Sequence, residues 1–211
     1  MKYVHFEHPH RRKHFEFFRR MDQPHFNVCA PIDITSLRSA LASHGLPFTP
    51  VMVYLVAHTA NRIPEFRQRI RGDQVVEHER VHPSITVATD SGVFGFCDVS
   101  YRAELRPFIA DAESRMRDMA ENPSMEDEPG RDDYLFLSSF PWVSFTSISH
   151  AMHHSPGDSV PRITWGKYRE DRGRLELPLA VQAHHAVVDG RHMGQYFEQL
   201  QELAEHIAER L

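Results

Sequence analysis

Between residues 175 and 183 apolar side chains recur at every second position: Leu175, Leu177, Leu179, Val181 and Ala183, with Glu176, Pro178, Ala180 and Gln182 between them. Successive side chains on a strand leave by opposite faces, so the pattern predicts a strand with one buried face. Its parity carries His185 inward and turns His184 to the side of Gln182, while Pro178 marks a place for a bulge. Further strand-like runs occupy 26–35, 84–89, 93–101, 134–140, 142–152 and 162–168, and two short runs meet at a hairpin over 71–74. Helical spacing predicts helices over 11–21, 35–45, 49–63, 101–121 and 194–211. Gly45 is placed to stop the second helix, and Thr49 to cap the third with Pro50 at its first position. That third helix is apolar nearly all round, which places it centrally. The acidic stretch 122–133, with two prolines and a glycine, reads as a loop. Helices and strands share one chain with most strands in its second half, so the expected class is α/β, in a single domain over 1–211.

Composition narrows the function classes. A formal charge of −5 argues against a nucleic-acid partner, which would want a basic face. No apolar run approaches the roughly 20 residues that span a bilayer, and the first residues form no signal peptide, so a cytoplasmic location is expected. The two cysteines, Cys29 and Cys97, lie far apart and suggest neither a disulfide framework nor a zinc ribbon.

The sixteen histidines draw attention to 182–197, "QAHHAVVDGRHMGQYF". Three readings compete there. An inward His185 at a strand end suits a general base, because an imidazole accepts and returns a proton near neutral pH. His185 is equally placed to be a satisfied core residue beside an N-cap at Asp189. A metal site built on His185, Asp189 and His192 would need one helix through all three, which Val187, Val188 and Gly190 oppose. No metal is therefore expected.

The segment also carries a resemblance. "HHAVVDGRHMGQYFEQLQEL" resembles the H-H-x-x-x-D-G signature of the type A chloramphenicol acetyltransferases. "RRKHFEFF", "IDIT", "PVMVYLVAHTAN", "PEFR", "FPWVSFTS", "ITWGKY" and "LPLAVQ" resemble stretches of the same family in the same order, from Lys2 to about Glu205. The resemblance implies a mixed β-sheet flanked by helices, in the two-layer sandwich of CoA-dependent acyltransferases. It also implies a homotrimer with active sites between subunits, and acetyl-CoA as co-substrate with no tightly bound cofactor.

In that scheme His185 is the base that takes a proton from an acceptor hydroxyl, most simply that of chloramphenicol. Ser138 stabilises the oxyanion, Thr164 holds a water, and Asp189 supports the site through an ion pair with Arg11. Phe17, Phe18, Phe94, Ile148 and His150 would line the acceptor pocket, and Trp142, Lys167 and Tyr168 the CoA channel. The departures from the family gather on the acceptor side. Phe18 lacks a hydroxyl often present, Val188 replaces a cysteine, and the loops 123–133 and 148–160 are altered, with His150 and Met152 where apolar residues are usual. An unpaired His150 would weaken chloramphenicol binding. The alternative is a same-fold acyltransferase using a different hydroxyl or thiol acceptor.

Overall fold

The alternating run forms the spine of the main sheet. In the computed structural model, which describes residues 1–125, 128, 130–153 and 157–211, strand β10 (Arg174–His184) pairs antiparallel along β2 (His25–Asp33). On its other side β10 pairs first with β9 (Arg169–Asp171) and then with β8 (Arg162–Gly166). Beyond β8 lie β7 (Tyr134–Phe140), β5 (His82–Ala88) and β6 (Phe94–Asp98), with β8, β7 and β5 mutually parallel and the other pairs antiparallel. The sheet is mixed, as expected. A smaller sheet in the order β1 (Lys2–Tyr3), β4 (Gln74–Glu77), β3 (Gln68–Arg71) contains the hairpin read at 71–74. Its turn needs Gly72, whose φ of 63° would strain a residue bearing a Cβ.

Among the described residues five α-helices accompany the strands: α1 (Pro9–Phe18), α2 (Thr35–His44), α3 (Phe48–Arg62), α4 (Leu105–Glu121) and α5 (Gly190–Glu205). Ile85, Leu137, Ile163, Trp165, Leu179, Val181 and Ala183 share one sheet face and join a core with Phe15, Leu37, Val51–Ala57 and Leu200. Complete burial of each such side chain contributes about 1.5–3 kcal/mol, which fixes the parity of every central strand. The opposite face carries Thr86, Ser138, Arg162, Thr164, Gln182 and His184. Segment 141–153 crosses it. Asn27 donates to the Ile148 carbonyl at 2.8 Å, His150 meets Thr164, and Gln182 lies against Met152.

Several expectations need correction. No strand forms over 142–152: β7 already has β5 and β8 on its two flanks, so the chain must leave the sheet after Phe140 whatever its β-propensity. Helix α3 begins at Phe48 after Pro47, with no side-chain cap from Thr49. Pro50 is thus its third residue, still among the first N–H positions that lack an intrahelical acceptor. Pro178 produces no bulge. It sits opposite Pro31 in unbroken register and falls between the β8 and β9 pairings of β10, where no ladder bond calls on its missing N–H. Parts of the acidic loop (126, 127 and 129) and of the histidine-rich segment (154–156) lie outside the described residues.

Candidate active site

The sheet ends at His184, and a turn over 185–187 leads to α5. The two histidines part there. His184 is 5% exposed and stands opposite His25, their rings 5.0 Å apart. Its Nδ1 accepts from the Ala186 N–H at 3.1 Å. Burial, then the nearby His25, push its pKa down to about 4, so the ring is neutral at pH 7.

His185 keeps the parity of Ala183 and turns to the helical side. Its ring stacks on Phe18 at 3.9 Å, tilts against Phe26 at 4.5 Å and meets the edge of His14 at 5.4 Å. Its backbone N–H donates to the Pro24 carbonyl at 2.8 Å. The side chain is half-buried, and its Nδ1 is buried without a hydrogen-bond partner. It is neither a satisfied core histidine nor part of a metal cluster. Among the described residues no group of three or more His, Cys, Asp or Glu could hold a metal ion.

Arg11 fixes the turn that bears His185. Its guanidinium donates to the carbonyls of Ala186 at 2.9 Å and Val187 at 2.8 Å, and to Nδ1 of His14 at 2.7 Å. Burial, and next the charge of Arg11, lower the pKa of His14, which keeps that nitrogen free to accept. The expected ion pair between Arg11 and Asp189 is not formed. Arg11 spends its donors on backbone carbonyls, while Asp189 caps α5 by accepting from the Arg191 N–H at 2.9 Å. The cap is reciprocal, because Nδ1 of His192 accepts from the Asp189 N–H at 3.2 Å. Burial raises the Asp189 carboxyl, but His192, the capping N–H groups and the more distant Arg11 together hold it below the usual carboxylate range.

Ser138 lies on the other sheet face. β7 pairs it with Thr164 of β8, and its hydroxyl is 3.0 Å from that of Thr86. Ser139 pairs with Trp165 and faces the core, so parity selects Ser138 as the hydroxyl on the open side. The Thr164 hydroxyl, 1% exposed, is 3.4 Å from Nε2 of His150. His150 therefore has the Thr164 hydroxyl as a partner. Burial, and then Arg162, lower its pKa, so it too is neutral at pH 7. Arg162 is itself neutralised by two bonds to Asp158, at 2.7 and 3.0 Å. Beside them opens a cavity of about 300 Å³ whose wall includes Asp22, His25, His150, Met152, His153 and Gln182.

The remaining residues separate into groups. Phe18 is brought onto His185, but Phe17 is 62% exposed on the outer side of α1. Phe94 stands at the far strand β6, 44% exposed and against Phe96, and Ile148 lies on the crossing segment. Trp142, Lys167 and Tyr168 are all exposed, and a bond from the Lys167 N–H to the Val143 carbonyl draws their two segments together. Within one chain, then, His185 and Ser138 face away from each other across the sheet. His14, Phe26 and Thr86 were not legible as site residues. Each is placed by strand register or helix contact, which local spacing does not reveal.

The family model described as chloramphenicol acetyltransferase matches residues 1–201. Chloramphenicol acetyltransferase 3 of Escherichia coli is 34% identical over 195 residues, covering 92% of each chain. The chloramphenicol acetyltransferase of Bacillus pumilus is 32% identical over 207 residues, covering 95% of this chain and 92% of its own. A solved chloramphenicol acetyltransferase superposes with a TM-score of 0.83 at 25% identity, over 95% of this chain and 98% of that one.

Proposed function

Because the chain belongs to the chloramphenicol acetyltransferase family, we propose that it transfers the acetyl group of acetyl-CoA to a hydroxyl of chloramphenicol, with His185 as general base. The observation that carries the assignment of the base is the setting of His185. It is a half-buried imidazole braced by Phe18 and Phe26, on a turn that Arg11 holds by two backbone carbonyls. His185 takes the proton of the acceptor hydroxyl as that oxygen attacks the thioester carbonyl. The Ser138 hydroxyl donates to the oxyanion that forms. Collapse breaks the C–S bond, and the imidazolium returns its proton to the departing thiolate, leaving an acetyl ester and free CoA. General-base help of this kind contributes about 10²–10⁴-fold, and one oxyanion donor about 10²–10³-fold.

A single chain cannot bring these two groups to one carbonyl, since parity sends them to opposite sheet faces. The reading therefore includes a composite site, His185 from one protomer and Ser138 from its neighbour, in a closed homotrimer of one-domain chains (residues 1–211). The open sheet face supports it. Ser138, Thr86 and Phe136 are only half-buried there. Thr164, 1% exposed beside Ser138, belongs to this half of the site, although His150 stands where a bound water was expected. The co-substrate is acetyl-CoA and no tightly bound cofactor enters the scheme. No described helix is long and apolar enough to cross a membrane.

A second reading keeps the chemistry and changes the acceptor. The cavity beside His150 is walled by imidazoles, a carboxylate and an amide, which suits a more polar alcohol or thiol than chloramphenicol. Thiol release from acetyl-CoA, measured with chloramphenicol and with a panel of other alcohols and thiols, separates the two. Saturable chloramphenicol-dependent turnover is expected, with a KM above that of relatives whose pocket is apolar. Turnover with other acceptors alone would favour the second reading, and no acceptor-dependent turnover at all would overturn both.

A further inference from the structure

A row of hydroxyl side chains crosses the open sheet face at the level of Ser138. β5 and β7 pair in step from His82 with Tyr134 to Ile85 with Leu137, and the same register sets Thr86 beside Ser138. Ser138 pairs in turn with Thr164 of β8. Neighbouring strands lie about 4.8 Å apart, so Ser138 has a threonine within reach on each side. The two threonines are not equivalent. Thr164 is buried and directs its hydroxyl to Nε2 of His150 at 3.4 Å, whereas Thr86 Oγ1 lies 3.0 Å from Ser138 Oγ. Among the described residues Thr86 is the one group that hydrogen-bonds the Ser138 side chain.

Proton accounting gives that bond a direction. A serine hydroxyl has one proton to donate and two lone pairs to accept with. Ser138 cannot give its proton to Thr86 and to an oxyanion at the same time. Once the oxyanion takes the Ser138 proton, the 3.0 Å bond persists only with Thr86 as donor and Ser138 as acceptor. Hydrogen bonds in series polarise one another, so the incoming bond strengthens the outgoing one. It also occupies the side of Ser138 that faces β5 and leaves the proton aimed away from that strand. Threonine suits the task because branching at Cβ restricts χ1 and keeps its hydroxyl where the strand sets it. We infer that Thr86 is a positioning residue for acetyl transfer, donating to Ser138 so that the Ser138 proton is held ready for the oxyanion. The inference rests on the reading of Ser138 as oxyanion donor given above.

The test is steady-state kinetics of Thr86→Val and Thr86→Ser, each made in the wild-type protein and in Ser138→Ala. Valine keeps the shape of threonine without its hydroxyl, and serine keeps the hydroxyl. Loss of one hydrogen bond predicts a kcat roughly three- to tenfold lower for Thr86→Val, with both KM values unchanged and recovery in Thr86→Ser. In the Ser138→Ala background Thr86→Val should change kcat by less than about twofold, because the group it acts through is gone. A threonine that only supports the sheet would lower kcat by the same factor in both backgrounds, and that result would overturn the inference. Wild-type kcat in a folded Thr86→Val would overturn it as well. Should Thr86→Val fail to fold, Thr86→Ala is read against the same outcomes. Full kcat in Ser138→Ala itself would overturn the oxyanion reading and this inference with it, leaving the assignment of His185 as base intact.

Discussion

Adjacent histidines in one chain do different work because the strand turns them to different faces. His184 is buried against His25, and its folded pKa of about 4 lies below the roughly 6.5 of an unfolded histidine. Between those values the unfolded chain binds more protons than the native one. The His184 contribution is therefore complete above pH 6.5 and is lost as pH falls toward 4, at up to about 1.4 kcal/mol per pH unit. His184→Asn keeps an acceptor for the Ala186 N–H and removes the titration. Urea midpoints measured from pH 7 to 4 should fall less steeply in that variant than in the wild type, and parallel profiles would refute the assignment. Residue parity was legible: the alternation from 175 to 183 already separates His184 from His185 and joins the former to Gln182. Hydrogen-bond partners were not. Arg11 and Asp189 carry opposite charges, but the nearer carbonyls of Ala186 and Val187 take the guanidinium and a helix N-terminus takes the carboxylate.

At the scale of elements, the site depends on how α1 is fastened to the turn after β10. Arg11 is that fastening, so Arg11→Ala should free the 186–187 turn, leave His185 without fixed aim and lower kcat by at least tenfold. Asp189→Asn retains an N-cap acceptor for α5 and should cost only a few tenths of a kcal/mol in stability. Chemical denaturation and steady-state kinetics on both variants check this, and equal loss of activity would restore a direct pairing of the two residues. The helices and all but the shortest strands of the main sheet were readable from their periodicity, because burial enforces it. Segment 142–152 has the composition of a strand and forms none, because strand propensity says nothing of whether a sheet has room. Both flanks of β7 are occupied, so the segment instead crosses the β2, β10 and β8 part of the open face and brings His150 to the Thr164 hydroxyl.

For the whole molecule, the decisive fact is that the proposed base and the proposed oxyanion donor occupy opposite faces of one sheet. The resemblance implies sites between subunits, and the strand register separates the two proposed groups as such a composite site requires. Subunit complementation tests this most directly. His185→Ala and Ser138→Ala are each expected to be folded and to lose at least about 10²-fold in kcat. When the two variants are unfolded together and refolded as mixed oligomers, some interfaces pair an intact His185 with an intact Ser138 from the neighbour. Random assembly predicts recovery of chloramphenicol-dependent acetyl transfer at roughly a quarter of the sites. A mixture that assembles into hetero-oligomers yet is no more active than its parents would contradict the composite site, because a site contained in one chain can never be repaired by the other.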